Sequence, residues 1–104
     1  MNAPKLELDI TWDPAKAQTN FTKHKVTFEQ AAMVFTDPLA MTVFDSAHSD
    51  DEERWFTLGT DSDGQLLLAV AHTYRDTDKN HVHIRIISAR KAKRHERQQY
   101  EQHS

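Results

Sequence analysis

Cysteine is missing from this chain, which excludes a disulfide framework and a thiolate metal site. A reducing, cytoplasmic setting fits that lack. Glycine is nearly missing too. Gly59 and Gly64 are the only two, so no glycine-rich loop can cradle a phosphate. No apolar run approaches the length that crosses a bilayer, and the N-terminus lacks the apolar core of a signal peptide. No membrane partner is therefore expected. No serine-nucleophile motif is visible. A net positive charge is also lacking: the formal charge is −3, so the whole molecule is not a generic binder of polyanions. A length of 104 residues points to a single domain, 1–104.

What the chain does have is charge sorted along its length. From Arg85 to Arg97 lie Arg85, Arg90, Lys91, Lys93, Arg94 and Arg97 against Glu96 alone. The stretch from Asp45 to Asp63 reverses this, with Asp45, Asp50, Asp51, Glu52, Glu53, Asp61 and Asp63 against Arg54. The basic stretch suits phosphate, because arginine offers a planar fork of donors that holds two oxygens at once. The plain structural reading of the same stretch is a solvated surface helix.

Taken in order, Leu6 to Ile10 alternates apolar and acidic residues and reads as a half-buried strand. Asp13 is a good N-cap and Pro14 suits the first helical position, so a surface helix is expected from Pro14 to His24, with a turn at His24-Lys25. Thr27 to Gln30 is a capping box, and Phe28, Ala31, Ala32 and Phe35 form the packed face of a second helix that Asp37-Pro38 ends. Strands follow at Met41–Phe44, Trp55–Gly59, Leu66–Ala71 and Val82–Ser88, the third apolar on both faces and so central. Polar turns are expected at Asp61–Gly64 and Arg75–Asn80, and Ser88 reads as the N-cap of a final helix. The fold class is α+β, in the order β-α-α-β-β-β-β-α. An antiparallel sheet carries the two N-terminal helices on one face, and the other face shows His83 and Arg85. The final helix has few apolar residues, so a partner holds it or it is held loosely.

Histidine is plentiful, yet metal-ligand spacing is poor. His81 and His83 sit two apart on one strand, with no second pair or acid cluster to complete a site, and no metal or other cofactor is expected. What remains is a cationic set: Lys23 or His24, Arg54, His72, Arg75, Arg85 and Arg90. Such a set can cleave RNA through the substrate's own 2′-hydroxyl. That reaction needs a group to take a proton, cations to stabilise charge on phosphorus and an acid for the leaving oxygen. Histidine is the natural candidate for the proton work, and His72, on the central strand, is one. For each residue the bland alternative stands beside this: polar surface for a histidine on a sheet, pairing with neighbouring acids for Arg54.

The ordered pieces Trp12-Asp13-Pro14, Lys16-Ala17, Asn20, Lys23-His24 and Val26 to Ala31 look familiar. So do Val34-Phe35, Asp37-Pro38, His48-Ser49, Glu53-Arg54 and Gly59. The most specific piece is Ile84 to Ala92, IRIISARKA, followed by Glu96-Arg97 and Tyr100. Together they make the chain resemble the BrnT family of type II toxins, over nearly its whole length. The resemblance implies a RelE-like fold and a ribonuclease that halts translation. It implies a BrnA-type antitoxin as partner, and contact with DNA only indirectly, through that antitoxin. It suggests Arg54, Arg85 and Arg90 as phosphate-binding or transition-state groups, with Lys23, His24 and Lys91 as RNA contacts. Arg75 joins the RNA-binding set from the cationic reading. Two departures stand out. Lys25 follows His24 where the family usually has glycine, and the Asp76–His83 hairpin is longer and richer in histidine. The alternative function is a non-catalytic partner-binding module that acts as co-repressor with its antitoxin. A DNA-binding domain has no helix-turn-helix signature to support it.

Overall fold

The computed structural model describes residues 6–48 and 52–103. Asp50, Asp51 and the Ser49 of the family-like pieces lie outside them. The chain is α+β. Its strands are β1 (Glu7–Trp12), β2 (Met41–Phe44), β3 (Trp55–Thr60), β4 (Leu67–His72), β5 (Arg75–Asp78) and β6 (His81–Lys91). Its helices are α1 (Pro14–His24), α2 (Phe28–Met33) and α3 (Arg94–His103), and a 3₁₀ turn (Val34–Thr36) extends α2. No helix among the described residues is long and apolar enough to cross a membrane.

Local sequence chemistry sets the helix ends. Asp13 accepts from the Ala15 N–H at 2.9 Å and Pro14 begins α1. At the other end Lys25 takes the left-handed conformation, φ 59°, where glycine would be relaxed. The Thr27–Gln30 capping box forms in both directions, at 3.0 and 2.9 Å.

The sheet runs β1-β6-β4-β3-β2, with β5 also paired to β6. β4 is buried at every position, as its doubly apolar sequence requires. Three expectations are corrected. The sheet is mixed rather than a simple meander, because β1 lies parallel to β6 at its far edge. Arg75–Asp78 is a strand rather than part of a turn. Every residue of β5 is exposed, so no apolar alternation betrays it, and its pairing with His81–His83 makes it a strand. Ser88 is not a helix cap, because β6 continues to Lys91.

The third correction has a definite cause. Ala71 pairs with Ser88 but His72 pairs with Ile86, so Ile87 is an extra residue, a β-bulge. A bulge breaks the two-residue alternation of side chains. Ile86 and Ala89 consequently both reach the core, with Val26, Phe28, Ala31, Val34, Leu68 and Val70. By the same shift Arg85 and Arg90, of opposite parity, both face away from that core. Helices α1 and α2 cover the core side. On the far side α3 lies over one end of the sheet and leaves the other end open.

Two polar residues tie these layers together. β1 ends opposite Ile86, which leaves the next stretch of β6 without a strand neighbour on that side. Asn20 of α1 takes the strand's place. Its Oδ1 accepts from Ala89 N–H at 3.1 Å, and its Nδ2 donates to Ala89 O at 2.9 Å and Val26 O at 3.1 Å. A buried backbone edge is thereby satisfied without a strand. Asp37 does the same for α3. It accepts from Tyr100 Oη at 2.6 Å, Thr60 N–H at 2.9 Å and Leu39 N–H at 2.9 Å. Burial acts to raise the Asp37 pKa, but these hydrogen bonds outweigh it and hold the carboxyl below its usual range. The final helix, too polar to be held by a core, is thus held by a tyrosine. Gly59 has a packing reason: a Cβ there would stand 2.7 Å from Val34 Cγ1.

Candidate active site

On β6, His83 and Arg85 lie two residues apart on the face that no N-terminal helix covers. Their side chains start about 7 Å from one another. Arg75 of β5 pairs with His83 in register, which brings a second guanidinium to the same face. Thr73, between β4 and β5, exchanges bonds with Arg85. Its N–H donates to Arg85 O at 3.0 Å and its Oγ1 accepts from Arg85 N–H at 3.1 Å. Glu52 closes the arrangement from the segment before β3. These five residues, Glu52, Thr73, Arg75, His83 and Arg85, line a small cleft of about 80 Å³. A wider hollow lined by Glu52, Glu53, Thr73, Tyr74, Arg75 and Asp76 adjoins it.

Arg85 is paired with Glu52 through Nη2, with both side chains more than 40% exposed at 44% and 41%. His83 Nε2 is hydrogen-bonded to Thr11 Oγ1 at 2.8 Å, and Thr11 pairs with Arg85 across the parallel ladder. The ring is half-buried and its orientation is fixed from behind. The cleft therefore gathers two guanidinium groups, an imidazole and a carboxylate around a space open to solvent. Arginine forks hold phosphate oxygens and stabilise charge that develops on phosphorus. An imidazole and a carboxylate are the groups that move protons near neutral pH.

The other residues singled out by sequence are dispersed. Arg90 forks onto Glu96, with Nη1–Oε1 at 2.8 Å and Nη2–Oε2 at 3.0 Å, and side-chain exposures of 26% and 16%. The Arg90 hydrogen bonds hold the Glu96 carboxyl below its usual range against the opposing effect of burial. Glu96 also accepts from Lys93 N–H at 2.8 Å, so it caps α3 as well. Lys91 is exposed at the end of β6. Lys23 and His24 line a different groove, of about 320 Å³, together with Lys16, Asn20, Ile87 and Ser88. Arg54 is half-buried just before β3 and is not without a partner.

His72 lies inside the core, 1% exposed. Its Nδ1 donates to Thr73 O at 2.8 Å, since a carbonyl only accepts. Its Nε2 then accepts from Thr57 Oγ1 at 2.7 Å, and Thr57 accepts in turn from Thr42 Oγ1 at 2.8 Å. Phe35 packs edge-on to the ring. Burial pushes the His72 pKa down, with the Thr73 carbonyl acting against it. Both nitrogens are thus engaged within the protein.

Sequence reasoning named Arg75 and Arg85, which line this cleft, and placed His83 on Arg85's face without giving it a role; it gave none to Glu52 or Tyr74. The signal for His83 was available, since it shares Arg85's strand face. Glu52 had none, being one acid among several in a polar stretch. Among the described residues, no group of three or more His, Asp or Glu is placed to hold a metal ion.

The fold and cleft define a small α+β protein that gathers two guanidinium groups, an imidazole and a carboxylate around one cleft. A family model described as the ribonuclease toxin BrnT of type II toxin–antitoxin systems matches residues 12–96, and the chain belongs to that family. No curated protein matches it.

Proposed function

We propose that the chain is an endoribonuclease toxin that cleaves RNA at the Arg75–His83–Arg85–Glu52 cleft, neutralised by a BrnA-type antitoxin. The observation that carries the reading is the gathering of two guanidinium groups, an imidazole and a carboxylate around one solvent-open cleft. Family membership supports the class of activity.

In this reading the scissile phosphate takes Glu52's place on Arg85, and Arg75 holds it from the β5 side. The displaced Glu52 carboxylate accepts the 2′-hydroxyl proton. The 2′-oxygen attacks phosphorus, and the bond to the 5′-oxygen breaks as that oxygen takes a proton from His83. The products carry a 2′,3′-cyclic phosphate and a 5′-hydroxyl. Arginine is suited to the task because charge grows on the phosphoryl oxygens as the new bond forms. Lys23, His24, Arg54 and Lys91 contact flanking phosphates. Arg90 supports the site through α3, and His72 supports it by fixing the core beneath Thr73. DNA is met only through the antitoxin.

The test is cleavage of RNA by the purified chain in EDTA, free and on translating ribosomes, with fragment ends identified. Cyclic phosphate ends that appear in EDTA are expected. Ends with 5′-phosphate, an absolute metal requirement, or no cleavage in either setting by a folded chain would overturn the reading.

A further inference from the structure

Strand β1 lies parallel to β6, with Asp9 opposite His83 and Thr11 opposite Arg85. Residues opposite one another in a sheet share a face, so the Thr11 side chain stands on the cleft face, diagonal to His83. Its Oγ1 lies 2.8 Å from His83 Nε2. Among the described residues the other ring nitrogen, Nδ1, has no hydrogen-bond partner. The two nitrogens of one ring are thus unequal. One is tied to the neighbouring strand, and the other is left to the cleft that the ring lines.

The tie is held firmly. Threonine is branched at Cβ, which restricts χ1 and favours a strand. Trp12, the next residue, turns to the opposite face and meets buried Phe28 edge-on, with 6.0 Å between ring centroids. At the start of the strand Glu7 N–H donates to Asn80 O at 2.6 Å, and the Glu7 carboxylate meets His81 Nε2 at 2.9 Å. β1 is therefore fixed at both ends, and Thr11 stands beside the end that enters the core.

A histidine that acts as a general acid starts with a hydrogen on both nitrogens. Which of the two leaves depends on which faces the substrate. A turn of about 180° at χ2 exchanges Nδ1 with Cδ2, and the torsion itself opposes that turn only weakly. A hydrogen bond from Nε2–H to Thr11 Oγ1 does oppose it.

We propose that Thr11 is a positioning residue for the cleavage step, holding His83 through Nε2 so that Nδ1 delivers the proton to the leaving 5′-oxygen. The bond from phosphorus to that oxygen breaks, its electron pair stays on the oxygen, and the Nδ1 proton moves there. The ring is left neutral with its remaining proton on Nε2, still donated to Thr11. Neither the ring nor its hydrogen bond has to rearrange. The N-terminal strand thereby becomes part of the active site. The inference rests on the cleavage reading above, with His83 as the acid.

The test is single-turnover RNA cleavage over a range of enzyme concentrations, in whichever setting the parent cleaves, free RNA or translating ribosomes. The variants are Thr11→Val, Thr11→Ser, His83→Ala and the Thr11→Val/His83→Ala double variant, each checked for folding by its melting temperature. Thr11→Val keeps the shape and strand preference but loses the acceptor. It should cleave roughly tenfold more slowly at saturation, the order of one hydrogen bond to a charged ring, with half-saturation unchanged within about twofold. Thr11→Ser restores the hydroxyl and should stay within about threefold of the parent. In the His83→Ala background Thr11→Val should change nothing, because the group it positions is gone, whereas a merely structural role would slow both backgrounds alike. Thr11→Val at the parent's rate, an equal loss in Thr11→Ser, or an equal loss in both backgrounds would overturn the inference and leave the cleavage reading standing. His83→Ala at the parent's rate, or a folded parent that cleaves in neither setting, would overturn both together.

Discussion

Strand β6 offers two arginines on one face, and they do different work. Arg90, after the Ile87 bulge, forks onto Glu96 under cover of α3, and the pair is mostly buried. Arg85, before the bulge, meets Glu52 at a surface where both partners are over 40% exposed. An exposed pair is held weakly and yields to a better anion, whereas a forked and partly desolvated pair does not. The same residue type on the same strand is thus a helix clamp at one end and, in the proposed mechanism, the phosphate receptor at the other. Local context makes the difference: a bulge, an overlying helix and the number of hydrogen bonds.

The comparison can be pressed first at the open end. His83→Ala should slow RNA cleavage by about 10²–10⁴-fold, the usual worth of a positioned acid or base, with little change in melting temperature. A rate within threefold of the parent would remove His83 from the chemistry. At the closed end, Asn20→Ala leaves the Ala89 backbone unpaired in a buried site and should cost about 2–4 kcal/mol, read from urea unfolding. A loss below about 0.5 kcal/mol would mean that water replaces the amide easily. Glu96→Gln keeps the shape but removes the charge. It should cost about 1 kcal/mol and speed amide exchange in α3, while cleavage changes little. A large drop in cleavage from that change would place Arg90 in the active site after all.

The smallest expected effect is on pH dependence, where two histidines oppose each other. Burial depresses the His72 pKa, so its contribution is present above the unfolded value, about 6.5, and is lost as pH falls through the folded value. His81 is raised, chiefly by Asp78 at 2.8 Å and then by Glu7 at 2.9 Å. Its contribution is present below about 6.5 and lost as pH rises through the folded value. Urea midpoints should therefore fall on both sides of an optimum, and His81→Gln should flatten the alkaline side only. An unchanged alkaline slope in that variant would show that the Glu7–His81–Asp78 clamp does not hold β1 in solution.

Elements with a local chemical signature were legible in the sequence. Asp13-Pro14 fixed the start of α1, Thr27 and Gln30 capped α2, and the apolar run Leu66–Ala71 became the central strand, Leu67–His72. Features that depend on a distant partner were not. The bulge at Ile87 exists only relative to β4, and β5 has no apolar face to reveal it. Asn20 reads as one polar residue on a surface helix until Ala89, 69 positions on, lies beside it. For the site, the basic run Arg85–Arg97 was visible, but which of its members stays available depends on Glu52 and Glu96. Pairing of that kind is set by tertiary contact rather than by spacing along the chain.

The most direct test of the account is a side-by-side measurement of Arg85→Ala and Arg90→Ala, with single-turnover RNA cleavage and thermal melting recorded on the same preparations. Arg85→Ala should lose about 10²–10³-fold in cleavage and melt close to the parent. Arg90→Ala should melt several degrees lower yet cleave within about tenfold of the parent at a temperature where it remains folded. The reverse pattern, or equal losses of cleavage with unchanged melting, would contradict the division of labour along β6.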